Sequence, residues 1–370
     1  MMRRACEQLI HWLAPEHRKS WARAMMAEMA AIENSRDAMA FAWGGLIACC
    51  RFRLEPNISS ARTRSSIVKD RFVILTFVSG VLAGLIGLAY LSVSDAPLNM
   101  VIVNGGAIVA GCLLALFLRR AARISDSVAT MAALAGAFIL FGTAIFGYAI
   151  EDARRWLLVG PFFIQTSLIL LPMIAICFAR VQNLHTTLAV LVAAFVMAVQ
   201  PDRAMAAMLF VAVAVVGLMR PNRLTFSASI FCAVTFATTL LLPDRLPAVP
   251  FVDHILWSAF DINFRVGLAI WAGCLLLVCP IAFVPKAERT VLHYVFASCW
   301  LTLIAAAAMG AYPTPMVGYG ASAIIGYFLS LPFLEPRSQG RGARAEACTD
   351  QPESDETIPP LRNSAASFAI

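Results

Sequence analysis

The stretch FVILTFVSGVLAGLIGLAYLSV, from Phe72 to Val93, holds 22 residues without one charge. At a rise of about 1.5 Å per residue, a helix of this length is roughly 33 Å long, enough to cross a hydrocarbon layer of about 30 Å. In water it would have no polar face to present. Nine further apolar segments follow it, at 98–118, 128–150, 157–179, 184–199, 204–219, 224–242, 266–284, 291–309 and 317–334, several near the short limit for a span. Composition agrees: 60% of the 370 residues are hydrophobic and 14% charged, and the mean hydropathy is +0.76. These values exclude a water-soluble domain of this size. The expected fold class is therefore all-α, a polytopic integral membrane protein with about ten transmembrane helices and a small helical cytoplasmic prefix.

Charge patterning orients this frame. The net charge of +7 does not indicate nucleic acid, because Lys and Arg cluster between apolar runs and near the two ends. Upstream of Phe72 stands the basic stretch Arg62, Arg64, Lys69 and Arg71, which anchors the chain on the cytoplasmic side. With the N-terminus inside, the inner loops carry Arg119, Arg120 and Arg123, then Arg180, then Arg220 and Arg223, then Lys286 and Arg289. Nearly all loop carboxylates fall on the other side: Asp95, Glu151, Asp152, Asp202, Asp244, Asp253 and Asp261. An even number of spans returns the C-terminus to the cytoplasm. The expected location is the bacterial inner membrane, with both termini cytoplasmic. No cleavable signal peptide is expected, since Met1 to Arg71 lacks a central apolar stretch with a cleavage site.

Three parts are expected. Residues 1–70 form a cytoplasmic prefix of two or three helices, one starting near Pro15 with Trp21, Met25, Met29 and Ile32 at helical spacing. Residues 71–335 form the membrane domain. Residues 336–370, rich in Arg, Ser, Pro, Glu and Gly, lack the apolar content to fold alone and form a disordered cytoplasmic tail. The ten Cys include no C-x-x-C pair and the five His no metal spacing. No cofactor is indicated; a divalent cation accompanying a pyrophosphate would leave no trace in the sequence.

Charges beside the hydrocarbon boundary carry a desolvation cost, so the outer loops hold the candidates for function. Three stand out: Glu151 to Gly160 with Gln165-Thr166-Ser167; Gln200-Pro201-Asp202-Arg203; and Leu242 to Arg245, continuing through Asp253-His254 to Asp261. Ala153-Arg154-Arg155-Trp156-Leu157 with Gly160 and Gln165-Thr166-Ser167 resembles the A-R-R-W-L…G…Q-P-S stretch of the SEDS family (shape, elongation, division and sporulation), the FtsW/RodA-like peptidoglycan polymerases. Gln200-Pro201-Asp202 resembles its Q-P-D, and Asp253-His254 with Ala259 and Gly267 its H-T-D-F-I-F…A-E-E-x-G. Pro313 to Ser322 is similar to its P-L-P-F-I-S-Y-G-G-S before the last helix. Together the four segments cover roughly Ala153 to Leu334.

The resemblance implies a role in cell-wall biogenesis, in cell shape or cell division. The implied activity is glycosyl transfer on a lipid-linked disaccharide at the outer membrane face. It makes Asp253 the catalytic carboxylate, which would take a proton from the attacking hydroxyl. Arg154, Arg155, Arg203 and Arg245 are then candidate contacts for the lipid pyrophosphate, with Gln165 and Asp202 beside them. A lipid-linked saccharide is the implied ligand, and a single-span transpeptidase-type cell-wall enzyme the implied partner. The chain departs from the family pattern: Thr166 stands for Pro, Arg203 follows the Q-P-D, Asp261-Ile262 stands where two Glu would be, the long loop before the catalytic Asp is reduced to Leu242–Phe251, and the N-terminal prefix is long. A non-catalytic membrane scaffold or regulator of an envelope complex is the alternative.

Each candidate also has an ordinary explanation. Asp253 can serve the start of the next helix; Arg154-Arg155-Trp156 can be an interfacial anchor; Asp202-Arg203 can be a charged helix connection. The run Gly318-Tyr319-Gly320-Ala321-Ser322 and the Gly80-x-x-x-Gly84 pattern read best as sites of close helix packing. A transporter is disfavoured by the near-absence of mid-depth charges and of an inverted repeat.

Overall fold

The computed structural model describes residues 19–32, 58–121, 124–150, 153–242 and 246–334, with Ala38, Phe41 and Gly44. A short helix α1 (Lys19–Ala31) buries Met29; the rest of the expected prefix up to residue 57, and the tail from residue 335, lie outside the described residues. Helix α2 (Ile58–Val93) starts within the prefix and becomes membrane-spanning from Arg71. Then come α3 (Leu98–Ala121) and α4 (Asp126–Phe146), a three-stranded antiparallel sheet of β1 (Tyr148–Ile150), β2 (Ala153–Val159) and β3 (Phe162–Gln165), and α5 (Thr166–Arg180). Helices α6 (Leu184–Val199), α7 (Arg203–Met219) and α8 (Arg223–Leu241) follow, then a short α9 (Ile255–Ile262). The chain continues through α10 (Phe264–Val278), extended by a 3₁₀ turn at Cys279–Phe283, and α11 (Val291–Met309). It closes with α12 (Ala321–Ser330), which runs into a 3₁₀ turn at Leu331–Leu334. Apart from this small sheet the protein is helical, a polytopic membrane protein of the all-α class; α2 to α8 and α10 to α12 run back and forth between the two ends of one bundle.

Length divides these ten helices into two sets. The spans in α2, α3, α4, α8, α10 and α11 are 19 to 23 residues long. Helices α5, α6, α7 and α12 are shorter, and α5, with 15 residues, measures about 22 Å, less than the hydrocarbon thickness. Among the short helices α5 is the most enclosed, whereas α6 exposes Leu184, Leu188, Phe195 and Val199. Thirteen residues of α5 are buried, Pro172 among them, and α5 packs against α4, α7, α11 and α12. Long helices instead expose large apolar side chains, such as Phe117, Phe138, Phe226 and Leu85, the outward face that lipid requires.

Helix ends within a membrane must have their free N–H groups satisfied by the protein. At the end carrying the Arg-bearing loops, Ser125 caps α4, while Asn183 with Thr186 and Asn222 with Thr225 form reciprocal caps on α6 and α8. There Arg180, 6% exposed, pairs with Asp126 at 3.3 Å and donates to the carbonyls of Ile124 and Phe333. It ties three chain segments together. Towards the same end, an aromatic cluster of Phe72, Phe296, Trp300 and Tyr327 fills the core between α2, α11 and α12, with the Tyr327 hydroxyl donating to the Thr76 carbonyl at 2.9 Å.

Glycine permits the close approaches. A Cβ at Gly80 would lie 2.4 Å from the Tyr327 ring and one at Gly84 2.7 Å from Ile108, so the Gly80-x-x-x-Gly84 pattern lets α2 approach α12 and α3. The main correction to the sequence reading is the sheet. Residues 157–165, expected to start a helix over 157–179, are strands, and the segment expected at 128–150 gives up its helix at Phe146. Gly160, at φ +58°, makes the turn, and Leu158, Val159, Phe162 and Phe163 leave half their surface exposed around it.

Candidate functional site

All the segments singled out in the sequence lie at one end of the bundle, opposite the Arg180 latch. They form two neighbouring groups. In the first, strand β2 directs Arg155 inward, where it is 5% exposed and donates to the carbonyls of Gln200 at 2.9 Å and Pro201 at 2.6 Å. Gln200 returns a bond from its amide to the Arg154 carbonyl at 2.6 Å. The hairpin is thus fastened to the α6–α7 connection.

Asp202, 2% exposed, caps α7 by accepting from the Met205 N–H at 3.3 Å. Its other oxygen accepts from the Gln165 amide at 3.2 Å and the Ser167 hydroxyl at 3.3 Å. The Gln165 backbone N–H donates to the Ser322 hydroxyl at 3.0 Å, so the same knot reaches the start of α12. Arg154 and Arg203 are engaged elsewhere. Arg154 is exposed and donates to the Ile145 carbonyl at 2.9 Å; Arg203 donates to Thr239 at 3.0 Å and to Leu242, closing the end of α8. Arg245 lies outside the described residues, as do Glu151 and Asp152.

The second group surrounds Asp253. The loop before α9 and the loop before α12 are zipped together: Asp253 bridges to Pro313, the Thr314 N–H donates to Val252 at 3.0 Å, and the Tyr319 N–H donates to Phe251 at 2.6 Å. Gly318 is needed there, because a Cβ would meet Ile255 at 2.5 Å and the Phe251 carbonyl at 3.2 Å. Phe251, His254 and Met316 adopt positive φ values of 63°, 59° and 67°, a conformation disfavoured for bulky residues and concentrated at functional loops. The Asp253 carboxylate accepts from the Val249 N–H at 2.7 Å. It borders a cavity of about 440 Å³ whose walls include Tyr90 and Ser94 of α2, His254, and Ser258 of α9.

The structure therefore brings Arg155, Gln165 and Asp202 into one buried network and sets Asp253 on a separate cavity, with the Pro313–Ser322 segment touching both. Sequence reasoning missed Gln200 and Ser322 as members of the network, and Tyr90, Ser94 and Ser258 as walls of the cavity. Only the hairpin left a usable signal, Gly160-Pro161 flanked by aromatic and β-branched residues. Among the described residues no three His, Cys, Asp or Glu come together as metal ligands would.

No protein-family model and no curated protein matches the sequence. Among solved structures, the chain is similar to the rod-shape-determining protein RodA of Thermus thermophilus, both unaltered and as a point mutant. Each is 17% identical, with a TM-score of 0.49 over 71% of this chain and 94% of that one. It is also similar to a chain from a peptidoglycan synthase complex, at 17% identity and a TM-score of 0.46, over 72% of this chain and 98% of that one.

Proposed function

We propose that the protein is a SEDS-like membrane protein of the bacterial cell envelope that binds a lipid-linked cell-wall precursor at the hairpin end of its bundle, with Asp253 as the carboxylate that activates the acceptor hydroxyl. The observation that carries this reading is the meeting of four segments chosen for their motif resemblance. Residues 313–322 contact the Asp253 loop through Pro313, Thr314 and Tyr319, and the hairpin through Ser322, while the hairpin holds Asp202 and Gln200. Segments up to 160 residues apart gain nothing from sequence proximity, and their convergence beside a cavity that a carboxylate borders suits a substrate site. In this reading the hairpin end faces outward and the Arg-bearing loops face the cytoplasm.

A carboxylate held by a backbone N–H is fixed in direction and can accept a proton from a hydroxyl within about 3 Å. Rigid placement of this kind is what general-base catalysis requires. The strained backbone on both sides of Asp253, at Phe251 and His254, supports a site held against local preference.

One observation favours the scaffold reading as the runner-up. Arg154, Arg155 and Arg203 spend guanidinium donors on backbone carbonyls, which suits a structural role for them. The experiment is polymerisation of a lipid-linked disaccharide by purified protein in lipid nanodiscs, wild type against Asp253→Asn. Turnover by wild type and its loss in the variant is the expected result. Equal turnover in both removes Asp253 from the chemistry. A wild type without turnover that loses its envelope partners when residues 1–60 are deleted establishes the scaffold.

A further inference from the structure

The cavity beside Asp253 has a second wall, drawn largely from outside the four motif segments. It comes from the outer end of α2, where Tyr90 and Ser94 line the cavity, and from the first turns of α9, which supplies Ser258. Tyr90 is 6% exposed, and its hydroxyl interacts with the side chains of both Ser258 and Ser94. The rest of the lining is Phe251, the Asp253 carboxylate and the His254 imidazole, with the apolar Ala248, Val249, Pro250 and Ile262.

This assortment has a recognisable chemistry. Three neutral hydroxyls can each donate and accept, matching a ligand whose surface alternates donors and acceptors. Tyr90 and Phe251 supply aromatic surface with an apolar body, and Tyr90 adds a polar tip. Asp253 supplies the strong acceptor. Hydroxyl, aromatic and carboxylate groups together suit the rim and faces of a pyranose ring, whose hydroxyls take the polar contacts and whose C–H faces take the rings. A pyrophosphate would instead call for convergent cations or a cradle of N–H groups.

We infer that Tyr90, Ser94 and Ser258 form a saccharide-recognition wall facing Asp253, so that the sugar of the lipid-linked ligand occupies this cavity and the outer end of α2 decides which sugar is accepted. The inference rests on the proposed function and adds the residues that would set its specificity. The Tyr90 hydroxyl stands beside the Ser258 and Ser94 side chains, so the hydroxyls of a bound ring can pair with any of the three.

The test uses full-length protein in nanodiscs and two probes: undecaprenyl pyrophosphate carrying the cell-wall disaccharide, and undecaprenyl pyrophosphate without sugar. Dissociation constants are measured for wild type, Tyr90→Phe and Ser258→Ala. Each variant removes one neutral hydrogen-bonding group, so the sugar-bearing probe should bind roughly five- to tenfold more weakly, and the sugar-free probe unchanged. Ser258 is exposed, so Ser258→Ala keeps the fold even if Tyr90→Phe disturbs its buried surroundings. If wild type prefers the sugar-bearing probe and both variants keep that preference in full, the wall is not the recognition element, while the wider functional reading stands. If wild type shows no preference for the sugar-bearing probe, the functional reading falls and the inference with it. Equal weakening towards both probes also overturns the wall, because it marks a general loosening of the loop.

Discussion

Replacing Asp202 by Ala tests whether the hairpin end is held together as described. Asp202 is 2% exposed and caps α7 through the Met205 N–H while accepting from Gln165 and Ser167. Loss of an N-cap costs about 1 kcal/mol. The two side-chain donors lose an ionised acceptor in a dry setting, about 1–3 kcal/mol each, and the contributions overlap because all three share one carboxylate. A total near 4 kcal/mol is expected. At roughly 2 °C per kcal/mol for a chain this large, thermal unfolding should fall by about 8 °C. Buried free thiols at Cys177, Cys232, Cys274 and Cys299 provide the readout, since a thiol-reactive dye labels them only as the bundle opens. Asp202→Asn keeps one oxygen acceptor and should lose about half as much. An unfolding temperature for Asp202→Ala within about 1 °C of wild type would refute the network. Loss of precursor binding at unchanged stability would make Asp202 a ligand contact instead of a structural one.

Two further outcomes follow from the packing. Gly326→Ala should prevent folding, because its Cβ would lie 2.1 Å from the Leu168 carbonyl oxygen of α5, whereas Gly106→Ala, with nothing within 4 Å, should be neutral; yield and monodispersity in detergent separate the two. Arg180→Met should lower stability by about 2–4 kcal/mol, since it removes the buried guanidinium that donates to Asp126 and to the Ile124 and Phe333 carbonyls, and Arg180→Lys should recover only part of that, having no planar fork; thiol labelling on heating checks both.

The membrane architecture was legible because a segment such as Phe72–Val93 has only one environment that can accept it. The positions of the spans followed, mostly to within a few residues, since charges and caps such as Ser125, Asn183 and Asn222 sit where the apolar runs stop. The hairpin was not legible from hydropathy. Leu157-Leu158-Val159 and Phe162-Phe163-Ile164 form an apolar run that suits a helix or a strand equally, and only the Gly160-Pro161 turn distinguishes them. Nor could the sequence tell inner from outer helices, because lipid and protein interior are both apolar. The most enclosed helix, α5, is also short, with 15 residues against the 23 of the Arg71–Val93 span, but the 19-residue α11 is well buried too. As for the candidate site, outer-loop charge was enough to select its segments, but not the atoms they use. Arg155 binds the backbone of residues 45 and 46 positions away, and a carbonyl partner has no sequence signature.

The unequal helix lengths explain why so many polar side chains gather at the hairpin end. Helices α5 and α7 begin there inside the ring of longer spans, and their first N–H groups face protein instead of water. Asp202 accepts from the Met205 N–H at the start of α7, Gln165 and Ser167 donate to its other oxygen, and Arg155 donates to the Pro201 carbonyl of the chain crossing above. Buried polarity at this end is therefore first a consequence of short helices, and burial alone gives no reason to assign it to a ligand. Asp253 differs in its setting. Its loop precedes the eight-residue α9, whose start is made by His254 at φ +59° without a side-chain cap, so the neighbouring carboxylate is directed to Val249 and the cavity instead of to the helix end. Capping accounts for Asp202, whereas Asp253 is tied to its own loop through Val249 at the edge of the cavity. It is this difference between two acidic residues at the same end of one bundle that ranks Asp253 above Asp202 as the candidate in the proposed function.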